Sequence, residues 1–348
     1  MIKIVSVYPK DIANRYGGGH WKAIQAFHHL VYQLDRDVIE LGIDNNHELI
    51  LDGINKFLKK DHYYFVFHYS FWPNLIKQLK QQNPDVNIAV RTINAEGFQH
   101  WQRSDISFSP SYTNLRNIYG SCRLVLQDQQ CRFYADNLLG ISQWDNKHYW
   151  KLLPGKAEIS YFPYHCPWPE LRPHAVPLSW EKRHNTIVCL PGGRDPIGKS
   201  QVQNFIRFAH NINQDNLSKK WRFQLSPGVY RNHTNTEDIS PVSLMPELDE
   251  PWDLLCSVKA LALLTPLGFG TKTTIIDALT AGCHVIVDKT LAKRLPENVR
   301  ILCHQVDVSK VSECKEVMKK IVNEPFKHEL NKQLMSQSIN VLKEILRD

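Results

Sequence analysis

The sequence predicts an α/β protein of two parallel-sheet, Rossmann-like domains facing each other across a cleft. Three observations predict it. Apolar, β-branched strand candidates alternate with amphipathic helix candidates along the whole chain. The pattern halts in a proline-dense stretch and then starts again. Each half has a glycine-rich segment directly after its first strand, where such sheets place ligands. The 348 residues exceed what one hydrophobic core usually fills, which agrees with two domains.

In the first half, IKIVSV (2–7) reads as a buried strand. A loop with Gly17, Gly18 and Gly19 follows, then a helix whose face carries Trp21, Ile24, Phe27, His28, Val31 and Leu34. YYFVF (63–67) is a second strand and ends at His68. Asn74–Gln81 reads as a helix and NIAVR (87–91) as a strand. Leu124–Leu126 and Leu138–Ile141 are short strand candidates, and ISYF (159–162) closes the half. In the second half, TIVCL (186–190), WRFQL (221–225), ALALL (260–264), HVIV (284–287) and 301–304 read as strands. Helices are expected over the Val202–Ala209 face, over Thr273–Thr280 and over Pro325–Arg347. The division expected is 1–165, a linker at 166–180, 181–325, and a terminal helix at 326–348 free to pack back on the first domain.

Composition narrows the function. Hydrophobic residues at 43% and charged residues at 22% describe an ordinary globular chain and argue against disorder. A net charge of +7 suits an anionic ligand or an anionic membrane surface but is too small to imply nucleic acid. The eight cysteines form no CxxC pair or ligand-spaced cluster, so no metal site is expected. MIKIVSVYP is too short for a signal peptide's apolar core, and no run reaches the roughly 20 apolar residues of a spanning helix. A cytoplasmic protein is expected, with peripheral membrane contact left open. The stripe of Trp21, Phe27 and Tyr32 fits that contact or plain core packing.

Four segments carry the chemistry. PLGFGTKTTIID (266–277) follows an apolar strand and opens a helix. Gly270 allows close backbone approach, Lys272 supplies a cation, and Thr273 and Thr274 place hydroxyls beside free helical N–H groups. Together they make an anion site suited to a diphosphate. Asp277, one turn on, is placed to accept ribose hydroxyls. GGRDPIGKS (192–200) brings Gly193, Arg194 and Lys199 to a second strand–helix junction, where Arg forks onto phosphate oxygens and Lys acts as a point charge. The string from Gly193 to Ser200 is also a literal Walker A pattern, the signature of a P-loop NTPase or phosphotransferase, although Pro196 removes one donor from it. The last two segments are YGGGH (16–20) and the strand ends at His68 and RTINAE (91–96).

The segment GFGTKTTIIDALTAGCHVIV resembles the donor-binding signature of GT-B glycosyltransferases, close to glycosyltransferase family 4. Asp277, Ala278, Ala281, Gly282 and Val285 stand at matching positions. That family's earlier glutamate is Phe269 here, and the histidine of its R-S-H-N-x-E segment is Ile93. The resemblance implies a retaining, metal-independent transfer of a sugar from a UDP- or GDP-linked donor. The acceptor implied is a glycan, a lipid-linked molecule or a protein. It implies a diphosphate held by Gly18, Gly19, Gly193, Arg194, Lys199, Gly270, Lys272, Thr273 and Thr274, with Arg194, Lys199 and His68 acting on the reaction. It implies Asn94 and Glu96 on the acceptor and sugar side, with His20 and His100 as further options. No cofactor beyond the nucleotide sugar is implied. The departures at Phe269 and Ile93 also fit a GT-B protein that binds a nucleotide sugar without catalysis.

Overall fold

The computed structural model describes residues 3–13, 19–43, 54, 63–104, 112–192, 195–213, 220–227, 239–246, 248, 250–325 and 327–346. Two six-stranded sheets, parallel throughout, form its frame. The first has the order β2-β1-β3-β4-β5-β6. Its strands are β1 Lys3–Pro9, β2 Val38–Ile43, β3 Tyr63–His68, β4 Asn87–Thr92, β5 Asn137–Gly140 and β6 Glu158–Tyr161. The second has the order β12-β11-β10-β7-β8-β9. Its strands are β7 His184–Cys189, β8 Arg222–Leu225, β9 Val242–Leu244, β10 Val258–Leu263, β11 His284–Asp288 and β12 Cys303–Val306.

The central strands are buried on both faces, as all-parallel sheets require, which is why they read as unbroken apolar runs. Val38–Ile43 and Val242–Leu244 are edge strands that the sequence did not announce. Each is only partly buried, so it lacks that signal. Strand order reverses between β1 and β3 in one sheet and between β7 and β10 in the other. These reversals are where α/β sheets open a crevice for ligands.

The longer helices are α1 Gly19–Gln33, α2 Pro73–Gln82, α3 Glu96–Arg103, α4 Tyr112–Tyr134, α5 Pro196–Asn213, α6 Thr273–Thr280, α7 Val311–Lys320 and α8 Leu330–Leu346. The expected strand at Leu124–Leu126 is corrected, because those residues lie within α4. This helix buries Asn114, Ser121, Asp128 and Cys131. Polar residues take its inward face and large apolar ones its outward face, the reverse of the pattern expected of a core-packed helix. In α1, Phe27 is wholly buried and Trp21 packs edge-on against Tyr8, so these two rings serve the core.

The two sheets are not independent bodies. Ala23, Ala26, Tyr69, Ile93, Ile141, Tyr164, Cys166 and Trp168 share one apolar cluster with residues of the second sheet. Helix α8 returns from the C-terminus to bury Leu342 and Leu346 against Ile4, Phe27 and Tyr64. Asn331 and Ser338 fix α8 to the chain at Pro163 and Cys166, where the linker begins. The Asn331 side chain accepts from Cys166 N–H at 2.7 Å and donates to Cys166 O at 2.9 Å, while Ser338 Oγ donates to Pro163 O at 2.8 Å.

Candidate functional site

The turn after β10, at the reversal of the second sheet, reaches across to the segments that follow β4 and β5 of the first domain. Gly268 and Gly270 adopt φ of +97° and +74°, which gives the turn a left-handed path closed to most side chains. That path aims successive N–H groups at the facing domain. Gly268 N–H donates to Gln102 Oε1, Phe269 N–H to Gln99 Oε1 at 2.8 Å, and Gly270 N–H to Asp145 Oδ2 at 2.8 Å. Thr271 Oγ1 donates to Ile141 O at 2.6 Å. The amides expected to cradle a phosphate are therefore taken by side chains of α3 and of the segment after β5. A Cβ on Gly270 would stand 2.3 Å from Asn94 Oδ1 and 2.4 Å from Ile93 O. Gly270→Ala is thus expected to cost about 1–3 kcal/mol from the backbone conformation alone. A urea midpoint equal to that of the parent would show that the turn is not held this way.

Cations converge on the same turn. Lys272 Nζ donates to Phe269 O at 3.1 Å. Burial, then the positive charges of Arg294 and Arg103, push its ammonium down to about 8 against the pull of Asp145 and Asp195. Arg294 donates to Pro266 O and lies over the Phe269 ring at 5.7 Å. Arg103 pairs with Asp195 at 3.1 Å, joining α3 to the start of α5. Helix α6 opens behind Lys272 with no side-chain cap, leaving its N-terminal dipole toward this corner at Thr273 and Thr274. Burial drives the Asp145 carboxyl up to about 6, partly opposed by Gly270 N–H and Lys272. Burial likewise raises Glu96, whose Oε1 accepts from Asn94 Nδ2 at 3.3 Å. Asn94 and Glu96 therefore sit beside the turn with Asp145.

Other residues singled out from sequence lie elsewhere. Asp277 is fully buried, and both its oxygens are engaged. Lys22 Nζ donates to Oδ2 at 2.9 Å, and Tyr164 OH donates to Oδ1 at 2.7 Å. Burial lowers the Lys22 ammonium, but Asp277 and Glu250 reverse that and hold it above the ordinary lysine value. His68 does not reach the cleft. It is fully buried, its Nε2 lies 3.0 Å from Ser6 Oγ, and burial keeps the ring well below its ordinary pKa, hence neutral. The next residue, Tyr69, takes the strand-end position with φ +89° and stacks on His20 at 4.9 Å. His100 faces α4, with Nδ1 3.0 Å from Ser121 Oγ.

Gly19 begins α1, while Gly18, Gly193 and Arg194 lie outside the described residues. Lys199 is exposed on the first turns of α5. That helix already starts at Pro196. Gly198 N–H is bonded to Asp195 Oδ1 and Lys199 N–H to Asp195 O, both at 2.9 Å. The Walker A reading is corrected here, since a phosphate-wrapping loop needs these amides free.

Lys22, Gln99, Gln102, Arg103, Asp145, Asp195 and Arg294 were not legible as site residues. Asp195 stands before a helix as a capping residue does, and that was its one sequence signal. The others are single polar residues brought together only by domain packing.

The same two-domain frame is found in solved structures. A sucrose-phosphate synthase from Thermosynechococcus elongatus superposes with a TM-score of 0.61 at 10% identity, covering 99% of this chain and 94% of that one. An α,α-trehalose-phosphate synthase (UDP-forming) from Burkholderia xenovorans, solved with glucose-6-phosphate, gives 0.55 at 10%, covering 99% and 100%. A glycosyltransferase from Rickettsia africae gives 0.56 at 11%, covering 100% and 98%. The architecture of two facing Rossmann-like domains is therefore that of GT-B glycosyltransferases. No protein-family model matches the chain, and no curated protein is significantly similar to it in sequence.

Proposed function

We propose that this protein is a glycosyltransferase that moves a sugar from a nucleoside-diphosphate donor to an acceptor bound on the N-terminal side of the cleft. The observation that carries the reading is the gathering of Lys272, Arg294 and Arg103 at the glycine turn beside the β7–β10 reversal. Glycosyl transfer leaves a diphosphate, and fixed cations with a helix N-terminus stabilise the charge that develops as the sugar departs. Lys272, Thr273, Thr274 and the exposed Lys199 make up the diphosphate side, together with Arg194 and Gly193. Asn94 and Glu96 make up the sugar and acceptor side. Asp277 meets the donor ribose only once Lys22 has withdrawn from it. Transfer proceeds with retention from a UDP- or GDP-linked sugar, and the cationic side chains take the place of a metal ion. The synthase sharing the fold that was solved with glucose-6-phosphate is UDP-forming, which supports a UDP-linked donor.

Thermal-shift measurements with UDP, GDP, ADP and their glucose conjugates test the donor. A ligand selective for the native state at 100 times its Kd stabilises by about 2.7 kcal/mol. Absence of any shift would remove the proposal. Activity is expected to persist in excess EDTA. Loss there, restored by Mg²⁺ or Mn²⁺, would assign charge neutralisation to a metal instead.

The second reading is a GT-B protein that binds a nucleotide sugar without catalysis. It is favoured by the seal on Asp277 and by the three occupied amides of the turn. Slow donor hydrolysis or transfer to any acceptor would exclude it.

A further inference from the structure

Helix α4 turns its polar side inward and a heptad repeat outward. Asn114, Ser121 and Asp128 are buried, while Tyr112, Leu115, Tyr119, Leu126 and Phe133 are 82%, 64%, 70%, 58% and 53% exposed. The inward side is satisfied, since Asp128 accepts from Ser70 and Tyr149 and Ser121 meets His100. The exposed Cys122 and the half-buried Gln129 complete the outward row. Its spacings are then 3, 4, 3, 4, 3 and 4 residues from Tyr112 to Phe133. That is a strict a/d pattern kept over three heptads, with Tyr112, Tyr119, Leu126 and Phe133 at a and Leu115, Cys122 and Gln129 at d. A helix that packs on a domain core carries a broader stripe near period 3.6. A repeat of 3.5 keeps one narrow seam turned toward a second helix, with side chains fitted as knobs into holes. Large apolar side chains exposed in such a row mark an interaction surface.

The seam is complementary to itself. In a parallel, in-register pair each a or d residue meets its own counterpart, so Leu meets Leu and Tyr meets Tyr. The one amide layer also matches, because each Gln129 side chain can donate to and accept from the other. Charge selects the same arrangement. Arg116 and Arg123 are exposed at e positions, and the only acidic residue of the helix, Asp128, is buried. In a parallel pair e faces g, which lays Arg123 over Ile118 of the other copy, its stem on apolar surface and its head in water. An antiparallel pair lines e against e and sets arginine beside arginine with no carboxylate between.

We propose that α4 pairs in parallel with α4 of a second copy of this chain, joining the two about a two-fold axis along the seam. The inference goes beyond sugar transfer and does not depend on it. Because α3 packs on α4 through Gly97 and Val125 and also holds the glycine turn through Gln99 and Gln102, the paired helices back the wall of each cleft.

Analytical ultracentrifugation of the full chain tests this, with cross-linking at Cys122 to read the register. A dimer is expected. Cys122 is exposed and the other seven cysteines are buried, so a short bismaleimide linker should join Cys122 of one copy to Cys122 of the other. The variant Leu115→Glu/Leu126→Glu is expected to raise the dimer Kd by roughly 100-fold or more, and Tyr119→Lys should act in the same direction. Both should keep the parent's circular dichroism spectrum, since the altered side chains are exposed in the single chain. With Cys122→Ser as background, Tyr112→Cys and Phe133→Cys should each cross-link to their own counterpart, as only a parallel pair permits at both ends of the seam. A chain that sediments as a monomer would overturn the proposal, as would a dimer that both seam variants leave intact. A dimer cross-linked at position 122 and at neither end would overturn the parallel register.

Discussion

Replacing Lys272 by Ala is expected to lower kcat/KM for a nucleoside-diphosphate sugar by roughly 100- to 1,000-fold, about what one preorganised donor to a developing anion contributes. Lys272 stands where the turn after β10 becomes α6, with Arg294 and Arg103 nearby. A diphosphate offsets the mutual repulsion of these cations, which favours its binding. Burial, and after it the neighbouring arginines, make the effect pH-dependent. With its pKa lowered to about 8, Lys272 in the free protein is charged below that pH and neutral above it. Diphosphate affinity is therefore expected to be full near neutrality and to fall as pH rises through about 8. Isothermal titration with UDP across that range measures it. Lys272→Ala should bind weakly and lose this alkaline limb, whereas Lys272→Arg should keep the charge and move the limb to higher pH. A Lys272→Ala protein with parental UDP affinity and parental kcat/KM would remove Lys272 from the diphosphate site.

Asp277→Ala is expected to destabilise the protein by about 3–5 kcal/mol, because it leaves the Lys22 ammonium buried with its nearest partner gone. Lys22 is 1% exposed, and its remaining carboxylate, Glu250, lies 3.7 Å away. Removing the Lys22 charge as well, in Lys22→Met/Asp277→Leu, should recover much of that loss, since an apolar pair of similar volume avoids the desolvation cost. Equilibrium urea denaturation of the parent, the single variants and the double variant gives the coupling. Additive losses would mean that the pair is not coupled. The measurement also bears on function. The pair ties α1 of the first domain to α6 of the second, with Tyr164, just before the linker, on the other Asp277 oxygen. A donor whose ribose takes Asp277 must break it.

The frame was legible in the sequence because all-parallel strands are buried on both faces and leave apolar runs, as in YYFVF and ALALL. The glycine turn was legible in part. Glycines at 268 and 270 before Lys272 and a helix start are a local pattern, and the structure gives them left-handed φ and a helix beginning at Thr273. The edge strands β2 and β9 and the helix α4 were not legible, since a partly buried strand and a helix with Asn114, Ser121 and Asp128 turned inward lack the expected pattern.

By itself the sequence determined that there are two parallel sheets and that a glycine turn with Lys272 lies at the carboxyl end of an apolar strand. Those features follow from local periodicity and from backbone conformations that glycine alone adopts freely. Tertiary structure decided which groups are free to act. It gave the turn's amides to Gln99, Gln102 and Asp145, sealed Asp277 with Lys22, withdrew His68 into the core and brought Arg103 and Arg294 beside Lys272. The physical reason is that hydrogen bonds and charges pair across distance in space, and a buried polar group takes whatever partner packing brings to it.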